Sequence, residues 1–177
     1  MSEPSGPSWC DRFPTSASVD DLLPDFRDRV KAFLSALNKG GAHVSIGATY
    51  RPPERAYLMH YCCQVADGSL NPAAIPSMPG VPIDWAHAGA QSAAAAMKSA
   101  YAIQYPASLE SRHTQRRAID MTISWNGTLA IRDFDGNMHN IASSPRDGTN
   151  AELAKVGASF GVMKLATDPP HWSDDGR

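Results

Sequence analysis

The strongest constraint on the fold of this chain is a run of alternating residues in its second half. Polar and apolar residues alternate over positions 118–125 and again over 128–133, and the Asn-Gly pair between them favours a hairpin turn. An Asp-Gly-Asn sequence then turns the chain into positions 138–141. The pattern predicts a three-stranded antiparallel meander.

Helical periodicity and turn residues define the remaining elements. The predicted helices cover residues 24–38, 53–66, 91–102 and 150–159, and further strands are predicted at 43–49 and 162–165. Residues 68–89 contain four prolines and form a long irregular segment, and residues 168–173 form a loop. Helices and antiparallel strands segregated in this way predict an α+β fold, with a small antiparallel sheet packed against helices. We expect an irregular N-terminal lead-in over residues 1–18 and a single domain over 19–177.

The composition is that of an ordinary globular protein and argues against several classes of function. With a formal charge of −2 and no Lys/Arg-rich run, nucleic acid is not an expected partner, and no apolar stretch is long enough for membrane insertion. The first ten residues lack the basic and apolar regions of a secretory signal peptide, so we expect synthesis in the cytoplasm. Three cysteines, Cys10 and the adjacent Cys62 and Cys63, fit neither a disulfide framework nor a CxxC zinc site, and the adjacent pair predicts packing in a helical core.

A carboxylate in the middle of the first alternating strand points to a metal site. Alternation places Asp120 on the face opposite three large apolar residues, where an ionised carboxylate needs a partner. His113 lies in the preceding loop, close enough to fold back toward this face, and His171 follows two prolines. Two imidazoles and one carboxylate, with a fourth position left to water, make a catalytic zinc site. We therefore predict these three residues as ligands of Zn²⁺, and Asp168, held by the two prolines, as the general base.

This arrangement resembles the zinc D-alanyl-D-alanine carboxypeptidases, a family that includes D-Ala-D-Ala dipeptidases and L-alanyl-D-glutamate endopeptidases of phages. The family's pattern is Ser-x-His-x-x-Gly-x-Ala-x-Asp, followed later by Glu or Asp-x-x-His and an aromatic residue. Ser111, His113, Ala118 and Asp120 match the first part, and the sequence Asp-Pro-Pro-His-Trp at residues 168–172 matches the second.

The resemblance spans residues 44–172 and implies the Hedgehog/DD-peptidase fold. Residues 48–55, Ala-Thr-Tyr-Arg-Pro-Pro-Glu-Arg, look like the family's Ser-Gly-Tyr-Arg region. The resemblance implies that Arg51 faces the active site, where it binds substrate or polarises the scissile carbonyl.

The chain departs from the family's pattern at two positions. Arg116 stands where the family has glycine, and this substitution places a bulky cation beside the metal loop. If the family's glycine adopts a positive φ, a side chain at this position costs about 1 kcal/mol or more. Arg116 is therefore either a solvated residue or a substrate-binding one. The predicted base is Asp168 rather than the longer glutamate of many members, which requires its loop to lie closer to the metal and favours the endopeptidase branch.

Other polar and aromatic residues near the motif have simpler interpretations. Ser111 is expected to hydrogen-bond beside the ligands, and Trp172 to pack beside the site rather than take part in the chemistry. The remaining four histidines are interpreted as structural: His43, His60, His87 and His139.

The resemblance implies a monomeric enzyme that hydrolyses peptidoglycan stem peptides, at an L-Ala-D-Glu or a D-Ala-type bond. A phage endolysin or a secreted cell-wall-degrading effector would act in the periplasm or on the wall after release or delivery. Delivery machinery or an immunity protein are then candidate protein partners.

Two other classes of function stay open. A non-catalytic zinc-binding module of the same fold, as in the signalling domain of Hedgehog proteins, would hold metal without cleaving peptides. A non-haem iron oxygenase also uses two histidines and one carboxylate, but usually places the first histidine and the acid two residues apart. Here His113 and Asp120 are seven residues apart, which disfavours the oxygenase.

Overall fold

The computed structural model describes residues 2–177 and contains four α-helices and eight strands. The helices are α1 (Pro24–Lys39), α2 (Pro53–Ala66), α3 (Ala90–Ala100) and α4 (Ala151–Ser159). The strands are β1 (Glu3–Pro4), β2 (His43–Ala48), β3 (Ile83–Asp84), β4 (Ala118–Ser124), β5 (Leu129–Arg132), β6 (Met138–Ile141), β7 (Met163–Lys164) and β8 (His171–Ser173). Helices combined with antiparallel sheets confirm the predicted α+β class.

The chain divides into two compact units, each made of two segments. The first unit contains the residues up to Thr15 together with Arg51–Thr114. The second unit contains Ser16–Tyr50 together with Gln115–Arg177. The expectation of a single domain over residues 19–177 stays a prediction.

Helices α2 and α3 form the centre of the first unit. Their buried side chains pack with Trp9 and Trp85 in one apolar cluster. Trp9 ends a 3-10 helix at Pro7–Trp9, so part of the segment expected to be an irregular lead-in contributes to this core. The adjacent pair Cys62 and Cys63 is buried in α2, as their adjacency in the sequence predicted.

Helix α1 supplies much of the core of the second unit. Its buried residues recur at helical spacing: Phe26, Val30, Phe33 and Leu37. They belong to one cluster with Ile119, Met121 and Ile123, the apolar face of β4. The predicted alternation in β4 is therefore confirmed, and it leaves Asp120 on the face away from the core.

The predicted three-stranded meander is wrong in its pairing. β5 and β6 form a separate two-stranded sheet, and β4 lies inside a four-stranded sheet of order β2-β4-β8-β7. Beyond the end of β8, the same edge of β4 bonds another segment: the N–H of Gly148 donates to Ile123 O (3.1 Å), and the N–H of Trp125 donates to Arg146 O (3.3 Å). Because both edges of β4 are occupied, β5 cannot continue the ladder after the Asn-Gly turn.

The remaining boundaries agree with the predictions to within a few residues, with three further exceptions. β1 lies in the lead-in expected to be irregular and β3 in the irregular segment 68–89, and these two strands pair in parallel. The segment expected to be a loop over residues 168–173 contains β8. None of the helices in the described chain combines the length and the hydropathy that crossing a bilayer requires.

Candidate metal centre

Three of the predicted site residues come together in the structure. His113, Asp120 and His171 each offer one ligand atom, and these atoms all lie within 4.8 Å of one another. Both imidazoles are buried and Asp120 is partly exposed. A group of two imidazoles and one carboxylate at this spacing can hold a metal ion.

Strand pairing positions two members of this group. β4 and β8 are antiparallel, and their register sets Asp120 directly opposite His171. Oδ1 of Asp120 and Nδ1 of His171 are 3.1 Å apart. The neighbouring pair in the register, Ile119 and Trp172, is buried in the core, because successive side chains point to opposite faces of a sheet.

Turn chemistry positions the third member, His113. The side chains of Ser111 and Thr114 bond reciprocally to the backbone around it: Ser111 N–H donates to Thr114 Oγ1 (2.9 Å), and Thr114 N–H donates to Ser111 Oγ (3.3 Å). The N–H of Arg51 donates to His113 O (3.3 Å). Ser111 therefore acts on the local backbone, and its partner Thr114 was missed from the sequence, although a Ser-x-x-Thr spacing is a known turn signal.

The hydrogen bond of the second ring nitrogen of His171 shows which nitrogen carries the proton. Nε2 lies 3.1 Å from the backbone O of Arg177, and a carbonyl only accepts, so Nε2 carries the proton. In the neutral ring, Nδ1 then presents a lone pair to the carboxylate of Asp120. Two acceptors at 3.1 Å repel each other unless a cation, either a proton or a metal ion, lies with them.

The protonated form of His171 is stabilised by the same neighbours. Burial lowers the pKa of the ring, but hydrogen bonds to Asp120 and to the carbonyl of Arg177, with the charges of Asp120 and Asp168, outweigh it and raise the pKa above its ordinary value. The site therefore favours a bound cation, either a proton on Nδ1 of His171 or a metal ion.

Ser173 supports this orientation and was not predicted. Its buried Oγ accepts hydrogen bonds from the N–H groups of Gly176 (2.9 Å) and Arg177 (3.0 Å), which folds the chain back over His171. The turn brings the Arg177 carbonyl to Nε2. The Ser-Asp-Asp-Gly sequence is a turn signal, but its contact with the imidazole depends on the tertiary fold.

The predicted base, Asp168, lies at the surface in the turn that leads into β8. This turn is closed by the N–H of His171, which donates to Asp168 O (3.1 Å). The ammonium group of Lys164 donates to three carbonyls of the same turn, including Leu165 O (2.7 Å) and His171 O (3.1 Å). Burial lowers the pKa of Lys164, opposed by the charges of Asp168 and Asp120. Lys164 is the third residue, after Thr114 and Ser173, that the sequence did not reveal.

Arg116 has a positive φ, at the position where the motif has glycine. Its φ is +60°, in the left-handed region that glycine occupies without strain. Its carbonyl accepts a hydrogen bond from the N–H of Leu23 (3.1 Å), and its guanidinium carbon lies 4.3 Å from the centre of the Tyr50 ring.

Trp172 packs as predicted and leaves no surface for a substrate. Its side chain is fully buried, with its ring centre 5.4 Å from that of Phe33. The contribution of Trp172 is to hold β8 against the core.

The other histidines lie outside the metal-capable group found among residues 2–177. Three of them have polar partners of their own: His60 with the carbonyl of Ala107, His87 with Ser5, and His139 with Asp133.

No family model matches the sequence, and none of the curated proteins compared with it is a match. The inferences on function therefore depend on the motifs and on the geometry of this site.

Proposed function

We propose that the protein is a zinc-dependent peptidase that hydrolyses peptidoglycan stem peptides and has the Hedgehog/DD-peptidase fold. The observation that carries the proposal is the convergence of His113, Asp120 and His171, the three residues that the motif assigns as ligands. The positive φ of Arg116, at the glycine position of the motif, and the turn closed between Asp168 and His171 also support the proposal.

The donor set fits zinc. Catalytic zinc sites use three protein ligands with imidazole nitrogens and carboxylate oxygens at roughly 2.0–2.2 Å, which places neighbouring ligand atoms about 3.3 Å apart in a tetrahedron. The 3.1 Å between Asp120 Oδ1 and His171 Nδ1 is already close to that value. With no ligand atom of the group more than 4.8 Å from another, small side-chain rotations complete the shell.

The residues of the chain have distinct tasks in the proposed hydrolysis. His113, Asp120 and His171 would hold the zinc ion, which would lower the pKa of a bound water molecule to about 7 and act as a Lewis acid toward the scissile carbonyl. The exposed carboxylate of Asp168 accepts the proton of the attacking water and returns it to the leaving amine. Arg51, whose backbone N–H is bonded to His113 O, stabilises the negative charge that develops on the carbonyl oxygen.

We further propose an L-Ala-D-Glu or a D-Ala-type bond as the target, with the shorter base Asp168 favouring the endopeptidase branch. The enzyme acts on the cell wall as a monomer, either as a phage endolysin or as an effector carried by delivery machinery. An effector would be accompanied by an immunity protein in the producing cell.

A second candidate function is a zinc-binding module without catalytic activity. The observation that favours it is the cationic side chain of Arg116, which the chain carries in the loop between two ligands, where the peptidase motif has glycine.

Digestion of purified muropeptides, followed by mass spectrometry, separates the two functions. The peptidase produces new amino termini, a chelator abolishes them, and added zinc restores them. Protein that contains zinc but produces no new termini would support the module. Iron in place of zinc after aerobic purification would contradict both and favour an oxygenase.

A further inference from the structure

Arg116 holds a backbone conformation that its side chain makes unfavourable. Among residues 2–177, only Arg116 and Ala102 combine a positive φ with a side chain. Glycine would adopt the same φ without strain. Strained residues are found preferentially at functional sites, where the side chain has a task that outweighs the strain.

The one contact of the side chain does not outweigh this strain, because a cation–π contact at an exposed site stabilises the fold by no more than the strain costs. The hydrogen bond from Leu23 uses the carbonyl of Arg116, so glycine would form it equally well. The guanidinium is exposed and forms no hydrogen bond or ion pair within the described chain, only the contact with the Tyr50 ring. Its neighbour Arg117 is a structural arginine by comparison, since it pairs with Asp174 (2.9 Å) and Asp25 (3.3 Å).

The position of Arg116 relates it to the metal centre. It lies three residues after His113 and four before Asp120, in the segment that joins the two ligands. The guanidinium of Arg116 lies over the ring of Tyr50, the residue immediately before Arg51. The N–H of Arg51 donates a hydrogen bond to His113 O. The same short segments therefore carry the ligand and hold the cation.

A guanidinium held over an aromatic ring is prepared to bind an anion. The ring occupies one face of the group, while the N–H donors at its edge remain available in a fork that matches the two oxygens of a carboxylate. The side chain loses little further freedom on binding because the ring already restrains it.

We propose that Arg116 binds a free carboxylate of the peptide substrate close to the scissile bond, and so selects acidic over amidated stem peptides. The inference rests on the proposed peptidase function and deepens it by naming the substrate class. Stem peptides offer such carboxylates at the α-carbon of D-glutamate and at the C-terminus.

The test compares pairs of peptides that differ only by a carboxylate or a carboxamide at one of these two positions. The zinc-loaded wild-type chain should cleave the acidic member of one pair with a kcat/KM about 10- to 100-fold higher, the range expected for a charge-assisted hydrogen bond. Arg116→Gln should remove this preference, mainly through KM. Arg116→Lys, which keeps the charge without the fork, should retain part of it.

Two further variants separate recognition from structure. Arg116→Gly and Arg116→Gln both lack the cation over Tyr50, so the difference between their melting temperatures reports the backbone strain. We expect Arg116→Gly to melt higher than Arg116→Gln by roughly 2–4 °C while also losing the preference. Arg146→Gln, at an exposed arginine outside the site, should change neither quantity.

The outcomes distinguish failure of the inference from failure of the function. Equal cleavage of acidic and amidated peptides by the wild type, or a preference that survives in Arg116→Gln, would overturn the role of Arg116 and leave the peptidase in place. A zinc-loaded wild type that cleaves no peptide of either pair would remove the proposed function, and the inference with it.

Discussion

The two parts of the metal centre are held by different kinds of structure. Asp120 and His171 form a sheet-held pair, opposite each other on adjacent strands whose reverse faces are buried in the core of the second unit. His113 is loop-held, positioned by the turn between Ser111 and Thr114 and followed by a residue with positive φ. The same group of ligand atoms therefore depends on a hydrogen-bonded ladder at one side and on side-chain turn chemistry at the other.

This difference indicates what the metal itself contributes. A ladder packed on a core keeps its geometry whether or not an ion is bound, whereas a turn of a few hydrogen bonds, each contributing about 1 kcal/mol, opens more readily. We expect Asp120 and His171 to keep their ligand geometry without metal. The loop that carries His113 should become fully ordered only when metal binds.

Removal of a ligand should have the largest effect. His113→Ala and His171→Ala are each expected to lose bound zinc and peptidase activity together, because two remaining ligands hold zinc too weakly. The measurement is zinc per chain by elemental analysis alongside muropeptide digestion. His139→Ala, at a histidine paired with Asp133, serves as the matched control and should keep both. Full zinc occupancy in either ligand variant would show that the group is not the metal site.

Removal of the predicted base should separate metal binding from turnover. Asp168→Ala is expected to retain one zinc per chain and to lose about 10²- to 10⁴-fold in kcat, the usual range for a general base. Asp135→Ala, at an exposed carboxylate in the turn between β5 and β6, should have no effect. Normal cleavage by Asp168→Ala would disprove the role assigned to this residue.

Two serine variants compare the loop-held and the sheet-held sides directly. Ser111→Ala removes a support of the His113 turn, and Ser173→Ala releases the carbonyl that orients His171. Each should weaken zinc binding by about 10- to 100-fold, as for other groups that orient metal ligands. We expect Ser111→Ala to have the larger effect, because the ladder still holds His171. Competition with a chromogenic chelator measures both, and the reverse order would contradict the comparison.

The pH dependence of stability should give the smallest effect. Because the folded chain raises the pKa of His171, the metal-free protein gains stability from its ion pair with Asp120 below the unfolded pKa and loses it as the pH rises through the folded pKa. Thermal unfolding of metal-free protein and of His171→Ala across pH 5–8 measures this contribution. With zinc present the trend should reverse, since protons compete with the metal for Nδ1. A metal-free melting curve that matches the variant at every pH would exclude the ion pair.

The sequence was most informative where local patterns decide the structure. The limits of α1 follow from Pro24 and from the glycines after Lys39, and the face of β4 that carries Asp120 follows from alternation alone. The three ligands followed from their spacing and from the resemblance to a known motif. The glycine of the motif left open whether Arg116 has a positive φ, and the structure shows that it does.

The sequence was least informative where distant segments compete for the same backbone groups. The Asn-Gly turn predicted pairing of β4 with β5, but Arg146 and Gly148 occupy that edge of β4 instead. The sequence predicts a loop at β8 because two prolines precede this short strand, and because its partner lies 51 residues away at Asp120. The contributions of Ser173 and Lys164 depend on that same pairing, so no local pattern could reveal them.

The most direct test of the central claim is a crystal structure of zinc-loaded protein with anomalous diffraction recorded at the zinc absorption edge. The account predicts one anomalous peak about 2.0–2.2 Å from an imidazole nitrogen of His113, Nδ1 of His171 and a carboxylate oxygen of Asp120. A peak elsewhere in the chain, or none at the three residues despite saturating zinc, would contradict it.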